Sequence, residues 1–127
     1  DETEIAGQKE AHRRDGAAMV RFEMELRRRM ETGEGWTEFA ASNYLTSLRM
    51  AQKDCLGASF ETIAAYGANA AMMHYAPMED TCAELEPRGF LLVDSGGQYR
   101  DGTTDITRTY ALGPLTDEEL EMLQNHS

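Results

Sequence analysis

Cysteine is scarce in this chain: two residues in 127, Cys55 and Cys82, with no CxxC spacing. That excludes a disulfide framework, and free thiols in a reducing, cytoplasmic compartment are the expectation. No apolar run approaches membrane-spanning length, so a membrane partner is not expected. Basic residues are few, 12 against 23 acids, for a net charge of −11. Phosphate binding needs a basic face, so nucleic acid is excluded as a partner. The opening Asp1-Glu2-Thr3-Glu4 has neither a signal-peptide pattern nor a Met, as expected of a fragment of a longer protein. Internal repeats and low-complexity tracts are absent as well.

What is present is an ordinary globular composition, 41% hydrophobic and 28% charged. The length suits one domain with one core, and residues 1–127 are read as a single, partial domain. The acidity is uneven: residues 1–31 hold eight acids and seven bases, the rest fifteen and five. Solubility accounts for most of it, and a cation-attracting cleft is the sharper use.

Residues 1–31 read as a helix, with Asp1 as N-cap and Glu4 completing a capping box. Acids at its start and Arg27-Arg28-Arg29 near its end suit the helix dipole. Met19, Phe22, Leu26 and Met30 form its apolar face, and Gly33 and Gly35 end it. A second helix should start after Thr37 as N-cap, with Trp36 stapled onto it. Its inward stripe is Ala41, Tyr44, Leu45, Leu48 and Ala51. Phe60–Tyr66 reads as a strand, 67–69 as a turn, and Ala70–Met73 as an extended piece delivering His74. Residues 76–89, with Pro77, Pro87 and Gly89, read as a surface loop. Thr116 should cap a third helix with Asp117-Glu118-Glu119 in its first turn. The order of periodicities, helical and then alternating, predicts an α+β fold: two long helices packed on a small, mainly antiparallel sheet.

The stretch 90–112, FLLVDSGGQYRDGTTDITRTYAL, organises the rest. It reads as a hairpin with its turn near Asp101. If Gly96-Gly97 forms a bulge, Asp94 and Asp105 come side by side on neighbouring strands. Two carboxylates that close need a cation or a proton between them. Taken singly, each Asp is better read as a turn cap or a partner for Thr hydroxyls. A lone His74 is more often a buried, hydrogen-bonded residue than a catalytic one.

The pieces GASFETIAAYGANAAMMHY at 57–75, LLVDSGGQY at 91–99 and DGTTDITRTYALG at 101–113 resemble the Xaa-Pro aminopeptidases (aminopeptidase P). These belong to the prolidase, creatinase and methionine aminopeptidase superfamily with the pita-bread fold. The resemblance is to the amino-terminal half of the catalytic domain and runs more weakly through both helices. It implies half of a pita-bread fold and a dinuclear metalloaminopeptidase, manganese-dependent by expectation. The implied substrate is a peptide with proline at its second position. The positions matching Asp94 and Asp105 are metal ligands in that family, the second bridging both metals. The position matching His74 faces the substrate and stabilises charge at the scissile peptide. The family's other three ligands, a His and two Glu, are expected downstream of Ser127, so this chain alone should be inactive. The competing reading is a non-catalytic module that binds peptides or proteins with the same fold. Half of a two-fold fold also leaves a sheet edge and a face uncovered, so a homo-oligomer is expected.

Overall fold

The computed structural model describes residues 1–72 and 75–125. Its elements are α1 (Glu2–Thr32), β1 (Trp36–Thr37), α2 (Glu38–Met50), β2 (Cys55–Ala58), β3 (Ile63–Tyr66), β4 (Glu84–Leu85), β5 (Phe90–Ser95), β6 (Gly97–Tyr99), β7 (Gly102–Thr103), β8 (Ile106–Ala111) and α3 (Asp117–Asn125), with a 3-10 turn at Gly67–Ala71.

The helix boundaries follow from local chemistry. The Asp1 carboxylate accepts from the Glu4 N–H and the Glu4 side chain reaches back, closing the capping box of α1. Gly33 ends α1 in the left-handed region, φ 71°. Thr37 Oγ1 accepts from the Ala40 N–H at 3.0 Å and starts α2. Thr116 Oγ1 accepts from the Glu119 N–H while the Glu119 carboxylate accepts from the Thr116 N–H, starting α3.

The core lies between the helices and one face of a three-stranded antiparallel sheet, β3-β5-β8. Met19, Phe22 and Leu26 of α1 and Ala41 and Leu45 of α2 pack on Ala64, Leu91, Val93 and Tyr110 of that sheet. Trp36 stacks on Phe22 at 5.6 Å between ring centroids and meets the edge of Tyr44. Burying each of these large side chains contributes about 1.5–3 kcal/mol relative to exposure.

The α+β expectation stands, with corrections in detail. The sheet is in three antiparallel pieces: β1-β4, β2-β6-β7 and β3-β5-β8. The strand expected at Phe60–Tyr66 starts only at Ile63, because Ser59 turns off to bond with Gly96 and Thr104. The expected loop at 76–89 contains β4, which buries Leu85 by pairing it with Trp36. Ala70 and Ala71 belong to the 3-10 turn rather than to an extended piece. Ala51 is exposed, since α2 ends at Met50 and Ala51 is only its cap. β2 had no counterpart in the sequence reading; its half-buried alternation is four residues long and interrupted by Gly57.

Candidate metal centre

The hairpin is more complicated than the sequence suggests. β5 does not turn back directly onto β8. Between them β6 and β7 swing out around a two-residue turn, Arg100-Asp101, and β6 pairs with β2. The chain then rejoins the main sheet, with Asp94 opposite Thr107 and Ser95 opposite Ile106. Asp94 and Asp105 are therefore not directly opposed, as the sequence reading had them. Thr107 faces Asp94 instead and donates its hydroxyl to Asp94 Oδ1 at 3.2 Å.

Asp105 lies one residue before β8, and carrying that strand's alternation back by one residue puts it on the side of Thr107 and Asp94. Thr107 shares a face with Asp94, and Asp105 is two residues before Thr107. Ile106, between them, turns inward to the core, while Asp105 is exposed. Diagonal neighbours in an antiparallel pair lie roughly 7–8 Å apart at Cα, a span that long side chains or a shared ion can bridge. This face looks away from the helices. The same alternation brings Ile63, Ala65 and Leu92 to it. These residues, with Asp94, Asn69, Ala70, Met72 and Tyr75, line a cleft of about 200 Å³.

Two glycines make the geometry possible. A Cβ on Gly96 would collide with the Thr104 carbonyl and Ser59 Oγ, and would reach 2.9 Å from the Phe60 ring. A Cβ on Gly97 would meet the Tyr99 ring at 2.7 Å. Because both are bare, the Gly97 N–H donates to Thr104 Oγ1 at 2.8 Å and the Thr104 N–H to the Gly97 carbonyl at 2.9 Å. That pair of bonds returns the chain to the sheet just ahead of Asp105.

Behind it lies a buried polar cluster. The Asp15 carboxylate takes both arms of Arg49, at 2.7 and 2.9 Å, and the Tyr99 hydroxyl at 2.7 Å. Asp15 and Arg49 are almost wholly buried, so α1, α2 and β6 are tied by one charge-assisted node. Burial drives the Tyr99 hydroxyl well above the ordinary tyrosine range, and its bond to Asp15 adds to the effect. At the hairpin tip, Arg14 engages Asp101 at 3.2 Å, and Gln8 of α1 exchanges two hydrogen bonds with Thr103.

A second buried carboxylate, Glu38, sits at the first turn of α2. Its Oε2 accepts from the Tyr66 N–H at 2.5 Å and from Asn69 Nδ2 at 3.1 Å. Its Oε1 accepts from the Ala83 N–H at 2.7 Å and from the Tyr75 hydroxyl.

Asp94 is half-buried and Asp105 exposed; the ion pairs of the hairpin region go to Asp54 and Asp101 instead. Carboxylates near one another with no basic partner among the described residues suit a hard divalent cation by their donor chemistry. Among the described residues no cluster of three or more His, Cys, Asp or Glu could hold a metal by itself. His74 lies outside the described residues. Sequence reasoning missed Asp15, Arg49 and Glu38. A signal was available: Asp15 precedes Met19 on the apolar stripe of α1, and Glu38 and Arg49 flank Ala41 and Leu45 on that of α2.

Residues 6–126 match the family model for metallopeptidase family M24. The probable Xaa-Pro aminopeptidase P of Fusarium vanettenii is 41% identical over 121 residues, covering 94% of this chain and 20% of that protein. Its counterpart in Pyricularia oryzae is 42% identical over 120 residues, covering 94% of this chain and 19% of that one. The chain thus spans about a fifth of the length of the curated relatives it matches. Among solved structures, the X-prolyl aminopeptidase of Caenorhabditis elegans superposes with a TM-score of 0.85 at 36% identity. That match covers 91% of this chain and 19% of the other, which is described as a cytosolic enzyme with a di-nuclear active site.

Proposed function

The chain belongs to metallopeptidase family M24, and on that premise we propose that it is the amino-terminal half of the catalytic domain of a dinuclear Xaa-Pro aminopeptidase. Residues 1–127 form one partial domain, with half of the pita-bread fold. The observation that carries the reading is the pair Asp94, opposite Thr107 on the outer face, and Asp105, exposed one residue before β8, in a hairpin locked by Gly96 and Gly97. Asp94 and Asp105 would hold the metals. When bound, two such ions, manganese by expectation, supply an activated water and polarise the scissile carbonyl.

This chain's own residues do the rest of its share. Thr107 holds the Asp94 carboxylate in one orientation by its hydroxyl. Gly97 and Thr104 fix the return of the strand and so the position of Asp105. Ile63, Ala65 and Leu92 offer an apolar floor beside Asp94 on which a substrate side chain can dock without water. His74, by its resemblance, stabilises charge developing at the peptide bond N-terminal to proline. The remaining ligands, a His and two Glu, come from the part of the protein that this chain does not span. The parent enzyme is cytoplasmic, in keeping with two free thiols, Cys55 and Cys82.

The test is hydrolysis of an Xaa-Pro peptide with added manganese. The longer polypeptide that supplies the downstream ligands should release the N-terminal residue, and this chain alone should not. Asp94→Ala and Asp105→Ala in the longer protein should each abolish turnover and manganese binding while the circular dichroism spectrum is kept. A longer protein that binds peptide but neither manganese nor cleaves would favour the non-catalytic binding module. The small donor set among the described residues is the observation on that side.

A further inference from the structure

Glu38 has no exposed surface, and a buried carboxylate is costly unless its oxygens are saturated with donors. They are saturated here, two donors to each oxygen: Tyr66 N–H and Asn69 Nδ2 on one, Ala83 N–H and the Tyr75 hydroxyl on the other. No arginine or lysine is among these partners. The Glu38 N–H also donates to the Ala83 carbonyl at 3.0 Å. The four donors come from the two ends and the middle of a single excursion of the chain, residues 66–83. Two of them, Asn69 and Tyr75, also line the cleft into which Asp94 opens, and they bond to one another at 3.2 Å. Strand pairing fixes the two ends of this segment, at Tyr66 and beside Ala83, but not the positions of Asn69 and Tyr75 between them. The carboxylate ties those positions to the ends, because its acceptor geometry fits one arrangement of the four donors.

We propose that Glu38 is a positioning residue: it holds the wall of the cleft beside Asp94, carrying Asn69 and Tyr75, in the conformation that receives the peptide, without touching metal. The inference rests on the metallopeptidase reading only for its catalytic consequence, since the clamp itself is a property of this chain. The role of Glu38 differs from that of Asp15, which ties the hairpin behind Asp105 and so bears on the metal side of the cleft.

Two measurements decide it. The first is amide hydrogen exchange on this chain. In Glu38→Gln, one oxygen becomes an NH2 that must face two donors. The Tyr66 and Ala83 amides should then exchange at least tenfold faster, while the amides of Leu91 to Val93 in the sheet keep their protection. Tyr75→Phe removes a single donor, leaves the buried carboxylate held by the other three, and should accelerate the same two amides less. It serves as the second variant if Glu38→Gln does not fold. Unchanged exchange at Tyr66 and Ala83 in both variants would overturn the clamp. The second measurement uses the longer polypeptide. Tyr75→Phe and Glu38→Gln should lower kcat/KM for an Xaa-Pro peptide tenfold or more, with manganese affinity by calorimetry within twofold of the parent. A loss of manganese affinity in step with activity, or an unchanged kcat/KM, would overturn the positioning role. If the parent itself neither binds manganese nor cleaves, the metallopeptidase reading has failed, and the exchange measurement still judges Glu38.

Discussion

Burial raises the proton affinity of a carboxyl, yet Asp15, with no exposed surface, is held below its ordinary value near 3.8. Burial pushes it up, and the hydrogen bonds from Arg49 and Tyr99 more than offset the push. The sign of the pH effect follows. The folded carboxyl binds its proton less readily than the unfolded one, so its stabilisation is full above the unfolded value. It is lost as pH falls from near 3.8 through the lower folded value. Asp15→Asn should flatten that acid limb of the stability curve. At neutral pH it should cost about 3–5 kcal/mol, because Arg49 is left buried without its partner. Urea unfolding of the two proteins between pH 2 and pH 7 measures both effects. The proposed site aspartates, Asp94 and Asp105, stand out by the DSGG and DGTTD patterns, which are local. The buried charges were legible only as misfits on apolar stripes: position 15 four residues before Met19, and position 49 four after Leu45. A single sequence does not say whether such a misfit snorkels outward or meets a partner. The meeting of Asp15 with Arg49, 34 positions apart, is a fact of packing.

At the scale of elements, what reads cleanly is what is encoded within four residues. The caps Asp1, Thr37 and Thr116 bond to backbone three positions on, and Gly33 supplies a left-handed residue where α1 must stop. The path of the hairpin does not read that way. Gly96-Gly97 is consistent with a bulge, but the bareness of Gly96 is required by Thr104 and Ser59, distant in sequence and close in space. Hence β6 and β7 leave the main sheet, and Asp94 meets Thr107 where simple counting had it meet Asp105. The claim can be tested at one residue. A methyl at Gly96 must move the Thr104 carbonyl, a backbone atom, and not the tip of a flexible side chain. Gly96→Ala should therefore destabilise by about 1–3 kcal/mol, the range for overpacking a well-filled site. Gly16→Ala, on the open side of α1 with nothing near its added methyl, should be neutral or stabilising by up to about 1 kcal/mol. Equal midpoints for the two variants in thermal unfolding would show that Gly96 is not held by close approach.

For the molecule as a whole, the question is what an isolated half of a two-fold fold does with its unfinished surface. The β3-β5-β8 sheet has two edges, and among the described residues neither β3 nor β8 pairs with another strand on its outer side. Its inner face is covered by α1 and α2, while its outer face carries half-buried Ile63 and Leu92 around the cleft, beside exposed Met72. Unpaired strand groups and apolar surface both favour association. A second copy of this chain is the nearest substitute for the half that the fold normally supplies, and a two-fold contact would use one surface twice. The net charge of −11 opposes the approach. That repulsion is long-range, and at physiological salt it is screened beyond about 8 Å. Dimerisation should therefore strengthen with added salt, opposite to an interface held by ion pairs. Sedimentation of this chain at micromolar concentration should show a dimer or higher species, with the dimer fraction rising between low and physiological salt. Attachment of the downstream half should abolish that mode of association, since it covers the same edge and face. A clean monomer at physiological salt would mean that edge twist and the carboxylates of the open face, Asp94 and Asp105, suffice to keep the half-fold apart.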